Sequence, residues 1–214
     1  VTSSRFSVEG QRQVQNVTKT TGKEELTPAR AIIAEMVRRY EVMGFDCSVL
    51  EVQKLGWVLT RVIAKLGLAD PLKLNFVANR YGPYADNLRH LLDNLDGSYL
   101  HSEKRLADAG PGDILHFAPD HQQKLAAYFR TSDGAAYVEA IDKTDALIDG
   151  FQSPLGMEAL ATVDWLLTHE RAAPTVDGIR DALNRWPTEG AAERKQRLFS
   201  DKLLQAAVER AQTL

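Results

Sequence analysis

Asn79-Arg80-Tyr81-Gly82-Pro83-Tyr84-Ala85-Asp86-Asn87-Leu88-Arg89-His90 is the stretch on which the reading of this 214-residue chain turns. Gly82-Pro83 imposes a fixed turn, and Pro83 also suits the first position of a helix. Beyond it, Tyr84, Leu88, Leu91, Leu92 and Leu95 recur at the spacing of an amphipathic helix, which Gly97 closes. Before it, Leu72–Val77 alternates well enough for a short strand. The stretch thus reads as strand, rigid turn and helix. Tyr81 and Tyr84 flank the turn with large apolar bodies and polar tips, suited to packing the turn or to anchoring a partner. Asp86, Arg89, His90 and Asp93, with Asn87 at the start, make the polar face opposite the leucines. Its charge is mixed, which fits a specific contact better than diffuse attraction.

Upstream, Thr27-Pro28 is a helix start, followed by Ile32, Ile33, Met36, Val37 and Tyr40 at helical spacing and stopped by Gly44. Ser48 with Glu51 forms a capping box for the next helix. That helix is apolar around much of its girth from Leu50 to Leu66, which predicts a central place in the core. Downstream, residues 98–118 read as loop with a short strand at Ile114–Phe117. Helices are expected at 120–131, 134–149, 154–168, 174–185 and 200–212, punctuated by Pro154, Pro174 and Pro187. The expected fold class is mainly α: a compact multi-helix domain over 27–214 with at most a small two- or three-stranded sheet. Residues 1–26 are rich in Ser, Thr, Gln and Asn and are expected to be a linker or disordered tail.

Apolar residues make up 44% and charged residues 26%, ordinary for a folded chain. The single cysteine, Cys47, excludes an internal disulfide, and no apolar run reaches the length of a membrane span. With no secretory signal pattern at the start, the expected location is cytoplasmic. The net charge of −3 hides an asymmetry: +4 over residues 1–81, −6 over 82–150 and −1 over 151–214. Within the acidic third, Glu139, Asp142, Asp145 and Asp149 fall at spacings of 3, 3 and 4, along one stripe of a helix. Such a stripe is either a solvated face or an anionic strip for a basic partner.

Catalytic signatures are sparse. Neither GxGxxG nor a P-loop occurs, nor HExxH, nor a GxSxG elbow. The five histidines show no metal-ligand spacing, and Cys47 has no histidine near it in sequence. No metal and no cofactor is expected. An enzyme assembled from scattered residues such as Asp86, Arg89 and His90 is a minor reading.

The string Leu74–Leu92, together with Leu50-Glu51-Val52-Gln53-Lys54-Leu55-Gly56-Trp57 and Ser153–Trp165, resembles the C-terminal domain of DarG-type antitoxins in the same order along the chain. Where that family continues with an EGHY-like string, this chain has Asp96-Gly97-Ser98-Tyr99. The resemblance implies a division of labour. An N-terminal macrodomain removes ADP-ribose from DNA, and the C-terminal domain binds the DarT toxin, which ADP-ribosylates thymidine in single-stranded DNA using NAD. On this expectation the chain is a non-catalytic antitoxin half whose partner is a DNA ADP-ribosyltransferase, with no membrane partner and no small-molecule substrate. It would block the toxin's basic DNA cleft by acidic mimicry. The expected contacts are Tyr81, Tyr84, Asp86, Asn87, Arg89, His90, Asp93, Glu139, Asp142, Asp145 and Asp149. The alternative is a helix-turn-helix regulator built on the two helices joined at Gly44-Phe45-Asp46-Cys47, although direct DNA binding suits so apolar a second helix poorly.

Overall fold

The computed structural model describes residues 25–214. The expected tail at 1–26 therefore lies outside the described residues, except for Glu25 and Leu26. The fold is mainly α, as expected, with a three-stranded and a two-stranded sheet.

Helix α1 (Pro28–Val42) starts where the sequence places it: the Thr27 hydroxyl accepts from the Arg30 N–H, and Pro28 is the first helical residue. Strand β1 (Cys47–Ser48) leads into α2 (Val49–Lys65), and the Ser48–Glu51 capping box is formed. The Glu51 carboxylate accepts from the Ser48 N–H at 2.8 Å and from the Tyr40 hydroxyl at 3.0 Å, which ties the start of α2 to α1. Every residue from Glu51 to Leu59 is buried. This corrects the helix-turn-helix alternative: a recognition helix must present side chains to a groove, whereas α2 is the hub against which α1, the hairpin and two later helices pack.

The segment after α2 departs from the expected strand. It begins at Phe76 rather than Leu72, because Lys73 sits at a φ of 48°, outside the extended region. The larger difference lies in the opening motif. Gly82-Pro83-Tyr84-Ala85 is not a turn entering a helix; it is strand β3 (Gly82–Ala85), paired antiparallel with β2 (Phe76–Asn79) in the register Asn79↔Gly82 to Phe76↔Ala85. Arg80 and Tyr81 form the turn, and Gly82 supplies its positive φ of 94°. Pro83 fits a strand because its position faces the outer edge of the hairpin, where no ladder bond to β2 is needed. Its carbonyl, and both main-chain groups of Ala85 two residues on, point toward α2 instead. Helix α3 (Leu88–Leu95) follows, with Leu88, Leu92 and Leu95 buried as the periodicity requires.

The other sheet has the order β1-β5-β4, with β4 at Leu100–His101 and β5 at the expected Ile114–Phe117. The C-terminal part is helical: α4 (Gln122–Tyr128), α5 (Ser132–Ala135), α6 (Val138–Ile148), α7 (Pro154–Thr168), α8 (Val176–Leu183), α9 (Ala191–Leu198) and α10 (Asp201–Ala211). Only α9 has no counterpart among the longer predicted helices. One hydrophobic core runs from Ala31 to Ala211. At its centre α7 lies along α2, and Asp164 of α7 accepts hydrogen bonds from Trp57 Nε1 (2.8 Å) and Arg61 Nε (3.1 Å) of α2.

Candidate functional site

The hairpin is held from below by polar side chains of α2. Gln53 Nε2 donates to the Ala85 carbonyl at 3.0 Å, and its Oε1 accepts from the Ala85 N–H at 2.9 Å. Lys54 Nζ donates to the Pro83 carbonyl at 2.7 Å. From the C-terminal side, Trp186 Nε1 donates to the Asn79 carbonyl at 2.9 Å. These bonds fix the turn from three directions and leave Tyr81 at its tip. The Arg80 guanidinium lies 5.7 Å, and that of Arg194 4.8 Å, from the Tyr81 ring centre, both within cation–π range.

Beneath Tyr81 the charges are unequal. Glu158 of α7 is 1% exposed, and one of its oxygens accepts from both Arg194 and Lys195 at 2.6 Å. Lys195 is buried, and so is Lys54. One carboxylate thus faces three cationic side chains. Burial, and then the neighbouring Lys195 charge, pushes the Lys54 ammonium down to about 7, against a smaller pull upward from Glu158. Burial also lowers Lys195, opposed by Glu158. The close approach of α7 to the turn depends on Gly82. A Cβ there would stand 2.7 Å from Thr162 Oγ1, a buried hydroxyl with no hydrogen-bond partner.

Two open pockets share Tyr81 as a wall. One, of about 310 Å³, is lined by Gln53, Lys54, Arg80, Tyr84 and the 109–111 loop, with no carboxylate among its lining residues. The other, of about 820 Å³, runs between Phe45, Leu155 and Leu198, and its charged lining is three carboxylates, Asp46, Glu51 and Glu158, with the single guanidinium of Arg194. The smaller pocket, lined by Lys54, Arg80 and the guanidinium-flanked ring of Tyr81 and by no carboxylate, is suited to an anionic ligand carrying a flat ring.

The structure gathers some of the sequence-predicted residues and separates others. Tyr81 and Tyr84 both line the smaller pocket. Burial and Asp86 raise the Tyr84 hydroxyl, which donates to Asp86 at 3.4 Å, and Asp86 in turn pairs with Arg89. Asn87 serves the backbone: its side chain accepts from the Asn75 N–H at 3.0 Å and donates to the Lys73 carbonyl at 2.8 Å. His90 is exposed, and Asp93 pairs with Arg105 at 3.4 Å. The acidic stripe lies elsewhere, on α6, which borders α2 near Val62 and Lys65, about 12 Å of helix rise beyond Lys54. Its carboxylates have partners within the chain. Arg39 bridges Asp142 and Asp145 at 2.7 Å each, Lys143 pairs with Glu139 at 2.8 Å, and Asp149 accepts from Gln152 at 3.4 Å. Cys47 is fully buried and its thiol is pushed up by burial and by Glu51 and Glu41, so it offers no thiolate.

Sequence reasoning passed over Gln53, Lys54, Glu158, Thr162, Arg194 and Lys195. The available signal was the polar pair Gln53-Lys54 inside an apolar helix, and Glu158 as a lone carboxylate between Met157 and Ala159.

No family model matches the chain. It is 33% identical over 158 residues to a protein of Thermus aquaticus named DNA ADP-ribosyl glycohydrolase, covering 70% of this chain and 39% of that protein. It is 31% identical over 203 residues to proteins of the same name from Mycobacterium bovis and Mycobacterium tuberculosis, covering 86% of this chain and 52% of each. The chain therefore spans about half the length, or less, of these curated relatives. The matches correct the expectation of a non-catalytic inhibitor set apart from any enzyme. What aligns along most of the chain is proteins named for a glycohydrolase activity, not for toxin binding. The expectations of a toxin partner, of acidic mimicry and of no small-molecule substrate are withdrawn with it. The pairing of Asp142 and Asp145 with Arg39 agrees, since carboxylates already neutralised by a guanidinium imitate a phosphate backbone poorly.

Proposed function

We propose that this chain works in the hydrolytic removal of ADP-ribose from DNA and contributes the surface that holds the modified strand. The carrying observation is the cluster at Tyr81, where Arg194, Lys195 and Lys54 face one carboxylate, Glu158, beside the smaller open pocket, whose lining includes Lys54 and Arg80 and no carboxylate. ADP-ribose joined to DNA combines a diphosphate with a flat base. Arg80 and Arg194 suit the first, and the Tyr81 ring suits the second. Gln53, Lys54 and Trp186 fix the turn before any ligand arrives, so little ordering cost falls on binding. The similarity to proteins named DNA ADP-ribosyl glycohydrolase supports the choice of this ligand over other anions.

The test is fluorescence polarisation with a single-stranded oligonucleotide carrying one ADP-ribosyl group, alongside its unmodified twin, with release of free ADP-ribose followed in the same samples. Tighter binding of the modified strand is expected. Tyr81→Ala should weaken it by about 1–3 kcal/mol, and Arg194→Ala by about 10- to 100-fold, the range for a lost charge-assisted bond. Equal affinity for the two strands, unmoved by either substitution, would refute the assignment.

A further inference from the structure

The three-stranded sheet carries a pair of side chains that the site around Tyr81 does not use. Strands β4 and β5 pair Leu100 with Phe117 and His101 with His116. Residues directly opposite on antiparallel strands share a face. Leu100 and Phe117 are buried, so the histidines stand on the other face, and both are exposed. Their ring centres are 5.5 Å apart, with the planes tilted by 36°. Two imidazoles sharing one tetrahedral ion at nitrogen–metal distances of about 2.0–2.1 Å place their ring centres about 5–6 Å apart.

A second observation comes from α1. Glu41 Oε1 lies 2.9 Å from Nδ1 of His116, and Glu41 Oε2 accepts from the Phe117 N–H at 2.9 Å. With Nδ1 donating to the Glu41 carboxylate, Nε2 of the neutral His116 ring presents its lone pair for a ligand bond. A carboxylate behind the imidazole fixes the tautomer and ring orientation of a metal-binding histidine and raises its basicity.

We propose that His101 and His116 bind a late first-row divalent ion of the zinc, nickel and copper class, with Glu41 as the residue that positions His116. Imidazole nitrogen suits these ions and discriminates against magnesium and calcium. Among the described residues no group of three histidine, cysteine, aspartate or glutamate side chains converges on one point. The ion would therefore keep solvent-filled positions and exchange readily. Bound, it would tie β4 to β5 and, through Glu41, to the end of α1.

Zinc chloride and magnesium chloride are titrated in parallel into the whole chain by calorimetry, with long-range 1H–15N spectra reporting the histidine rings. One zinc site is expected, with shifts at His101 and His116 and no binding of magnesium. His101→Ala and His116→Ala should each abolish it, and Glu41→Gln should weaken it about 10- to 100-fold. Metal-free thermal melts of each variant establish that the fold persists. A zinc titration unchanged in His116→Ala, ring shifts confined to His90, His121 or His169, or full affinity in Glu41→Gln would overturn the proposal. If a variant unfolds, the wild-type ring shifts decide alone.

Discussion

Replacing Gly82 by alanine tests the local architecture more sharply than any other single change. Two costs add. An L-residue at the φ of 94° held by Gly82 sits in the region that favours glycine, at about 1–2 kcal/mol. The new Cβ would also lie 2.7 Å from Thr162 Oγ1. Thr162 does not yield cheaply: it is fully buried on α7, and its β-branched side chain is restricted at χ1. Overpacking of this kind costs about 1–3 kcal/mol. The unfolded chain loses some freedom on gaining a Cβ, which returns about 0.4–1 kcal/mol. The net expectation is a loss of about 1–4.5 kcal/mol, read by urea denaturation. Thr162→Ala removes the obstructing hydroxyl, which has no hydrogen-bond partner to lose. In the Gly82→Ala background it should recover the overlap, about 1–3 kcal/mol, and leave the backbone cost. If the two substitutions add to within about 0.5 kcal/mol, Thr162 and Gly82 are not coupled and the packing argument fails.

Further expectations follow from the polar groups under the hairpin. Glu158→Gln leaves the buried Lys195 without its counter-charge and should cost about 3–5 kcal/mol, measured by the same denaturation; a loss below 1 kcal/mol would contradict the ion pair. Gln53→Leu leaves both main-chain groups of Ala85 unpaired, with an expected loss of about 2–4 kcal/mol and faster amide exchange at Ala85. For Lys54 the folded state favours the neutral amine at about 7, below its ordinary 10.5. The unfolded chain therefore binds the extra proton above pH 7, and stability should rise with pH from there. Lys195, also lowered by burial, adds a rise of the same sign, and from about pH 9 the Cys47 thiol, which ionises there in the unfolded chain only, opposes both. Lys54→Met should flatten the pH 7–9 limb; an unchanged slope would show that Lys54 is not its source.

Local signals predicted local structure well. Thr27-Pro28, the Ser48–Glu51 box and the apolar girth of α2 place two helices and the hub, and β5 lies at the strand expected within the 98–118 loop, whereas alternation over Leu72–Val77 starts β2 too early. Pro83 misled because proline at a helix start and proline on an outer strand edge look alike until the neighbouring strand is known. Helix α9, Ala-Ala-Glu-Arg-Lys-Gln-Arg-Leu, has too few apolar residues to show a face, yet Lys195 within it is fully buried. The site itself is half visible in the sequence: Tyr81 and Tyr84 stand out, whereas Lys54, Glu158 and Arg194 lie on α2, α7 and α9 and meet only when those helices pack. Glu139, Asp142 and Asp145 of the acidic stripe lie on α6 and Asp149 caps its end, but pairing with Arg39, far away in sequence, leaves no trace in the local pattern.

The polar bonds along the outer side of β3 have one more consequence. A strand at the border of a sheet is a template on which another chain can add itself, the first step toward fibrils or swapped assemblies. Here Pro83 has no N–H to offer, Lys54 occupies its carbonyl, and the Gln53 amide engages both groups of Ala85 as a foreign peptide would. A single turn of helix thus closes the border of the hairpin against recruitment, and loss of Gln53 would expose the chain to self-association as well as unfolding.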